Sequence, residues 1–173
     1  LSMNPKAIRL LEQNLDKVNW CFLSMNPHAL NLLEQNPQKI EWYYLSKNEH
    51  ERAVHLLEQN PKKINWMMLS RNSKAVHLLE QNLDKIDWGF LSMNRNAIHL
   101  LEQNFDKIDW DFLSTNPNAI HLLQQNPDKI YWTTLSKNPN LMGFLETNVD
   151  KIDWNYNKYG KLLAMFHAII KVY

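Results

Sequence analysis

Four histidines recur at one position of a repeating pattern: His55, His77, His99 and His121. Imidazole nitrogens bind Zn²⁺ at about 2.0–2.1 Å, so a metal site needs its ligands to converge on one point. Packed neighbouring helices lie about 8–10 Å apart, and histidines on successive helices therefore cannot share one ion. The spacing indicates surface histidines, and we predict no metal site.

Lysine and tryptophan also recur once per repeat. The lysines are Lys17, Lys39, Lys63, Lys85, Lys107, Lys129 and Lys151. Basic residues interleaved with aromatic rings are typical of grooves that bind single-stranded nucleic acid. However, acidic or amide residues run beside the lysines from Glu12 to Glu146, and 19 basic residues are balanced by 18 acidic ones. We therefore expect the lysines to pair with acids or to cover apolar surface with their stems, and nucleic-acid binding is the weaker hypothesis.

Catalytic motifs are missing from the sequence. Glycine occurs only at Gly89, Gly143 and Gly160, so no glycine-rich phosphate loop is present, and every Ser, His and Asp set belongs to the repeat. We expect a non-enzymatic chain that needs no cofactor. No apolar run reaches the roughly 18 residues of a membrane span, and the N-terminus does not resemble a signal peptide, so we expect an intracellular protein.

All these residues are positioned by a tandem repeat of 22 residues. The seven repeats begin at Leu1, Leu23, Leu45, Leu69, Leu91, Leu113 and Leu135. The third repeat is longer, because Glu49 to Arg52 replaces a two-residue step. The repeats fill residues 1–156, and residues 157–173 do not match them. Because the pattern is already under way at Leu1, we expect a piece of a longer chain.

Asn-Pro pairs predict two short helices in each repeat, as at Asn26-Pro27 and Asn36-Pro37. Helices of about ten residues are marginal alone in water, so their apolar faces must be buried by stacking one hairpin on the next. We therefore predict an all-α fold, an α-solenoid of seven stacked two-helix repeats. The predicted core includes Val18, Ile40, Ile64, Ile86, Ile108, Ile130 and Ile152, together with Trp20, Trp42, Trp66, Trp88, Trp110, Trp132 and Trp154.

Asparagine occupies two columns, where a column denotes the equivalent positions of successive repeats. One column is Asn4, Asn26, Asn48, Asn72, Asn94, Asn116 and Asn138, and the other is Asn14, Asn36, Asn60, Asn82, Asn104, Asn126 and Asn148. We expect both to be helix N-caps that also hydrogen-bond across to the neighbouring repeat.

The C-terminal segment is too apolar for a free tail. Residues 161–173 carry Leu162, Phe166, Ile169 and Ile170 within thirteen positions. We predict a capping helix in residues 157–173 that covers the face an eighth hairpin would have used. Its far side is also apolar, which makes end-to-end self-association a further possibility.

Partner binding is expected where the repeats differ, because packing constrains the identical positions. The candidate binding residues are Tyr43, Tyr44, Met67, Met68, Asp111, Thr133 and Asn155. Aromatic and Met side chains are favoured at protein interfaces. A third varied column follows the Leu-Ser pair and includes Met25, Lys47 and Arg71. The alternative is that part of this set, chiefly the column of Phe22 and Phe90, belongs to the core.

The pattern L-S-x-N-P-x-A-I-x-L-L-E-x-N-x-x-K-I-x-W, as in LSTNPNAIHLLQQNPDKIYW, covers residues 1–156 with local departures. It resembles the short helical-hairpin repeat arrays encoded by large double-stranded DNA viruses of protists and algae. The resemblance implies a viral, ankyrin-like interaction array, located in the host cytoplasm or the virion. We expect a scaffold that binds a host or viral protein; the alternative is a structural component of a virion or other large assembly.

Overall fold

A computed structural model describes residues 1–136, 138 and 141–152, and every regular element among them is a helix. The chain divides into two compact units, Leu1–Ala97 and Ile98–Tyr173. Both units contain short helices that recur in the same order, which confirms the predicted all-α class. The predicted capping helix in residues 157–173 lies outside the described residues, as do Trp154 and Asn155.

In both units a single 3₁₀ turn separates the two short α-helices of each repeat that the structure describes in full. The N-terminal unit contains α1 (Ile8–Glu12), α2 (Trp20–Met25), α3 (Leu30–Gln35), α4 (Trp42–Leu45), α5 (Glu51–Glu58), α6 (Trp66–Ser70), α7 (Val76–Glu80) and α8 (Trp88–Ser92). The described part of the C-terminal unit contains α9 (Ile98–Gln103), α10 (Trp110–Leu113), α11 (Ile120–Gln125), α12 (Trp132–Leu135) and α13 (Met142–Glu146). The 3₁₀ turns are Pro5–Ala7, Leu15–Lys17, Pro37–Lys39, Pro61–Lys63, Leu83–Lys85, Phe105–Lys107, Pro127–Lys129 and Val149–Lys151.

The second predicted helix of each repeat is in fact two elements, so that prediction was wrong. In the second repeat, Asn36-Pro37 opens only the 3₁₀ turn Pro37–Lys39, and Ile40 then adopts an extended conformation with φ −66° and ψ 123°. The α-helical hydrogen bonds restart at Trp42. The break places Ile40 in the core, where it is 7% exposed. Burial of this side chain therefore outweighs the few hydrogen bonds that a continuous helix would add.

The longer third repeat has the longest described helix, α5. Its eight residues compare with five or six in the matching helices α1, α3, α7, α9, α11 and α13. The ring of His50 caps its start, because Nδ1 accepts the N–H of Arg52 at 3.2 Å. The extra residues are thus absorbed as added helix on one side of the repeat.

Leucine, alanine and isoleucine form the core, and tryptophan does not. Leu23, Leu45, Leu69, Leu91, Leu113 and Leu135 are fully buried, and each lies three residues after a tryptophan. The described tryptophans are only half-buried, which corrects their prediction as core residues. The isoleucine column is confirmed at Val18, Ile40, Ile86, Ile108, Ile130 and Ile152, which are buried, whereas Ile64 is only half-buried. In the N-terminal unit, α2 packs on α4 and α6 packs on α8, so tryptophan-bearing helices of successive repeats are neighbours.

Buried polar side chains connect successive repeats. The Asn94 amide, which is fully buried, donates to the carbonyl oxygens of Ser70 at 2.9 Å and Asn72 at 3.1 Å. Its Oδ1 accepts the N–H of Asn96 at 3.0 Å. Equivalent bonds from asparagine Nδ2 to a serine carbonyl join Asn26 to Ser2, Asn48 to Ser24, Asn72 to Ser46 and Asn138 to Ser114. The prediction that this column bonds across repeats is confirmed.

The serine hydroxyls complete this network. Oγ of Ser70 donates to the carbonyl of Trp66 at 2.8 Å and accepts the N–H of Asp87 at 3.0 Å. Ser46 makes the same two bonds, to the carbonyl of Trp42 and from the N–H of Asn65. One buried hydroxyl therefore links the Trp-bearing helices of consecutive repeats.

The prediction that the asparagines of the column from Asn14 to Asn148 are N-caps of the following helix was wrong. Asn36 and Asn60 make no side-chain bond to the element that follows them. Instead, the amide of Asn36 donates to the carbonyl of Leu32, and that of Asn60 donates to the carbonyl of Leu56. These asparagines therefore satisfy carbonyl groups at the C-terminus of the preceding helix, where the last carbonyls lack intrahelical partners.

Asn94→Ala should be strongly destabilising, because it leaves two buried carbonyls and one N–H without this partner. Each orphaned buried group costs about 1–3 kcal/mol. The matched control is Asn60→Ala, which removes one half-buried bond worth about 0.5–1.5 kcal/mol. Urea unfolding of both variants should show the larger loss at Asn94. Equal losses would contradict a structural role for the buried network.

Candidate functional site

The predicted binding residues fall into exposed and covered groups. Tyr43 is 40% exposed and Met67 is 39% exposed. Thr133 is also exposed, while Tyr44 and Asp111 are half-buried. The rings of Tyr43 and Tyr44 meet edge-on with centroids 5.1 Å apart. In the C-terminal unit, Asp111 accepts a hydrogen bond from the hydroxyl of Thr134. Asn155 lies outside the described residues.

Met68 is a core residue, which corrects its prediction as part of an exposed binding face. Only 5% of it is exposed. Met67 and Met68 are consecutive in α6, and consecutive helical residues point about 100° apart, so exposure of one does not imply exposure of the other. Met68 belongs to the column of Phe22 and Phe90, for which the alternative was a core position. That alternative holds at Met68 but not at Phe22, which is 51% exposed, or at Phe90, which is half-buried.

A pocket of about 380 Å³ lies in the N-terminal unit. Residues of three varied columns meet there: the column of Tyr43, the column of Met68 and Phe90, and the column of Met25, Lys47 and Arg71. Its apolar lining comes from Met25, Tyr43, Met68 and Phe90, and its polar lining comes from Lys47, Glu49, Arg71 and Asn72. The structure thus brings Tyr43 and Met68 together with Met25, Lys47 and Arg71. Met67, Asp111 and Thr133 do not line it.

The charges of this pocket are unevenly compensated. Glu49 is bound by Arg95, with Nη2 to Oε2 at 3.2 Å. The Lys47 ammonium lies 5.7 Å from the centroid of the Tyr43 ring. Within the part of the chain that the structure describes, neither Lys47 nor Arg71 forms an ion pair. The pocket therefore has two cationic groups that can accept an anionic ligand.

The histidines and glutamates of the first helices form exposed pairs. Oε1 of Glu58 lies 2.7 Å from Nε2 of His77, and its Oε2 lies 3.0 Å from Nδ1 of His55. In the C-terminal unit, His121 pairs with Glu102 at 2.8 Å. The hydrogen bonds from His77 and His55 lower the pKa of Glu58 below its ordinary value of 4.5. Among the described residues, no group of three or more His, Cys, Asp or Glu side chains is arranged to hold a metal ion.

Several lysines stack on aromatic rings of the preceding repeat. Lys85 Nζ lies 4.8 Å from the Trp66 ring centroid in the N-terminal unit. In the C-terminal unit, Lys151 lies 5.0 Å from Trp132, and Lys129 lies 4.5 Å from Phe105 and 5.0 Å from Trp110. The sequence analysis predicted that the lysine stems cover apolar surface, but it did not predict that the ammonium groups lie over aromatic rings. Cation–π contact accounts for this geometry.

Two groups of polar residues were missed in the sequence. The buried serines were noted only as part of the Leu-Ser pair, although an invariant small polar residue beside a leucine signals a buried hydroxyl. The Asn or Asp before four of the six described tryptophans was missed as an N-cap; the other two, Trp42 and Trp132, follow Glu41 and Tyr131, which make no cap bond. Asn65 accepts the N–H of Met68, and Asp87 and Asp109 accept from Phe90 and Phe112. Their identity at this position is the usual sign of an N-cap.

Comparison with known proteins gives no match: no family model fits the chain, and neither a curated protein nor a solved structure is significantly similar to it. Over the described residues, no helix is both long enough and apolar enough to span a bilayer. Any functional assignment must therefore depend on the geometry of the site itself.

Lys129→Gln should cost about 0.5–1 kcal/mol, because it removes a cation from two ring faces. Lys39→Gln is the matched control, since Lys39 occupies the same column and contacts no ring among the described residues. Thermal unfolding should separate the two variants. If Lys39→Gln lowered the melting temperature as much as Lys129→Gln, the ring contact would contribute nothing.

Glu58→Gln should destabilise the protein in a pH-dependent way. Because the folded-state pKa of Glu58 is lowered, its carboxylate contributes stability above the unfolded-state pKa, and that contribution is lost as pH falls through the folded-state value. Urea midpoints of wild type and variant should therefore differ at about pH 6 and converge as the pH falls below the folded-state pKa of Glu58. Glu12→Gln is the control, because Glu12 has no ion pair among the described residues. A difference that persisted at low pH would refute this role of the carboxylate.

Proposed function

We propose that the chain is an α-solenoid of seven stacked repeats, capped by residues 157–173, and that it acts as a non-enzymatic scaffold for protein–protein interaction. One observation carries the proposal. From the second repeat onward, the recurring Leu-Ser pair and the Asn two positions after it are buried, and the Asn bonds to the preceding repeat, as at Asn94, whereas the varied residues Tyr43, Met67 and Thr133 are exposed. These three residues, which differ between repeats and are not part of the core, therefore lie at the surface.

The proposed binding residues form a separate face in each unit: Tyr43, Tyr44 and Met67 in the N-terminal unit, and Asp111 and Thr133 in the C-terminal unit, to which we add Asn155 from the sequence. Tyr and Met side chains offer large contact area, and their exposure in Tyr43 and Met67 supports this use. We further propose a viral origin and a host or viral protein partner, in line with the repeat pattern of residues 1–156. Such a protein would work in the host cytoplasm or in the virion.

End-to-end assembly, as in a structural component of a virion, is the second candidate. It is favoured by large apolar side chains that stay exposed, such as Phe22 at 51% and Phe105 at 40%. Nucleic-acid binding is less favoured, because Lys85, Lys129 and Lys151 already lie on aromatic rings.

Site-specific photo-crosslinking tests the binding face. Benzoylphenylalanine in place of Tyr43, Met67 or Thr133 should trap discrete partners from lysate of infected host cells after irradiation. The same substitution at the exposed residues Lys62 and Asp84 supplies the controls. Trapping at the face but not at the controls is the expected result. Equal trapping at all five sites, or trapping only of a second copy of the chain, would contradict the scaffold and, in the latter case, favour end-to-end assembly.

A further inference from the structure

We infer that the pocket between Met25, Tyr43, Lys47, Met68, Arg71 and Phe90 binds an acidic peptide segment that carries one large apolar side chain. The inference rests on the proposed scaffold function and deepens it, because it gives the chemistry of the partner. The pocket has an apolar half and a cationic half.

The apolar half matches a single large side chain. A volume of about 380 Å³ lies at the lower end of the roughly 300–1,000 Å³ of known ligand pockets. Met25 and Met68 contribute flexible, polarisable thioethers, and Phe90 contributes an aromatic ring. Such a lining adapts to the shape of a Phe or Leu side chain and removes it from water. The apolar contact would supply most of the affinity.

The cationic half selects acidic neighbours of that side chain. Arg71 has no ion pair among the described residues, and Lys47 touches only the face of Tyr43. The one acidic lining residue, Glu49, is occupied by Arg95. A carboxylate beside the buried side chain therefore meets an uncompensated guanidinium, which binds carboxylates in a bidentate manner. Charge complementarity thus favours an acidic segment over a basic one.

This combination is specific to one place in the array. In the column of Lys47 and Arg71, the first, second, fifth and sixth repeats carry Met3, Met25, Met93 and Thr115, and the seventh carries Lys137, whose neighbour in the column is Thr115. Two adjacent cations therefore occur only in the third and fourth repeats. The pocket is not a by-product of the repeat, since it depends on residues that the other repeats do not share.

A peptide is favoured over nucleic acid by the same arrangement. Binding of a nucleic-acid strand requires a row of cations that follows the phosphates. The pocket offers two cations beside an apolar lining, which suits one or two carboxylates and one side chain. Single-stranded nucleic acid is therefore an alternative outcome of the test.

Methionine methyl NMR provides a direct readout, because Met25 and Met68 line the pocket and Met3 and Met93 do not. The probes are blocked pentapeptides with phenylalanine flanked by two glutamates on each side, the same peptide with alanine at the centre, and the same with lysines as flanks. We expect the acidic phenylalanine peptide to shift the Met25 and Met68 signals selectively. The alanine and lysine analogues should bind at least tenfold more weakly.

The double variant Lys47→Gln, Arg71→Gln should weaken binding of the acidic phenylalanine peptide by about tenfold or more, since one charge-assisted hydrogen bond is worth at least that factor. The double variant Lys62→Gln, Lys63→Gln is the matched control, because it removes the same charge from exposed residues outside the pocket. Its affinity should equal that of wild type apart from a small effect that salt abolishes.

Three outcomes would overturn the inference: no selective shift at Met25 and Met68, equal binding of the lysine-flanked peptide, or displacement of the acidic peptide by oligothymidylate. The scaffold proposal is judged separately by crosslinking at Tyr43 and Met67. If partners were still trapped there and were unaffected by the Lys47 and Arg71 double variant, the pocket assignment would be wrong and the scaffold would stand. If no partner were trapped but the acidic peptide bound selectively, the scaffold proposal would be wrong and the pocket assignment would be retained.

Discussion

The buried hydrogen bond from an asparagine amide to the serine carbonyl of the preceding repeat constrains the rest of this structure. The carbonyl of Ser70 lies at the end of a short helix, where it has no intrahelical partner, and Asn94 satisfies it without water. Asparagine is required because one side chain must both donate across the repeats and accept from its own turn. Aspartate has the same shape but no N–H to donate. Helices of four to eight residues are therefore held at a fixed spacing by polar groups as well as by the leucine core.

Much of the fold was predictable because the repeat period is itself a packing constraint. The all-α class, the burial of the isoleucine column apart from Ile64, and the asparagine bonds between repeats all followed from residues that recur at a fixed spacing. The break at Ile40 did not follow, because an Asn-Pro pair opens a 3₁₀ turn as well as it opens an α-helix. Whether the helix continues past Lys39 is decided by where Ile40 is buried, which is a tertiary property. The same break explains why the tryptophans are only half-buried. Because the helix restarts at Trp42, the residue that faces the core is Leu45, three positions later.

The candidate site was less predictable than the fold. Exposure of Tyr43 and Met67 could be inferred from the variety of their columns, since a core would not accept such different residues. Burial of Met68 could not, because the face that a residue occupies in a five-residue helix depends on where that helix begins. Lys47 and Arg71 line the same pocket because one repeat packs against the next. No local pattern of the sequence shows this packing.

The enlarged third repeat has a consequence for how such arrays evolve. The bond between Ser46 and Asn72 spans 26 residues where its counterpart between Ser24 and Asn48 spans 24, yet both connections persist. The two additional residues are taken up in α5 and leave the joint between repeats intact. Copying errors that lengthen one repeat are therefore tolerated without correction in its neighbours. A chain of this kind can gain whole repeats by duplication, and the exposed residues of each copy can then change independently because the bonds between repeats are unaffected.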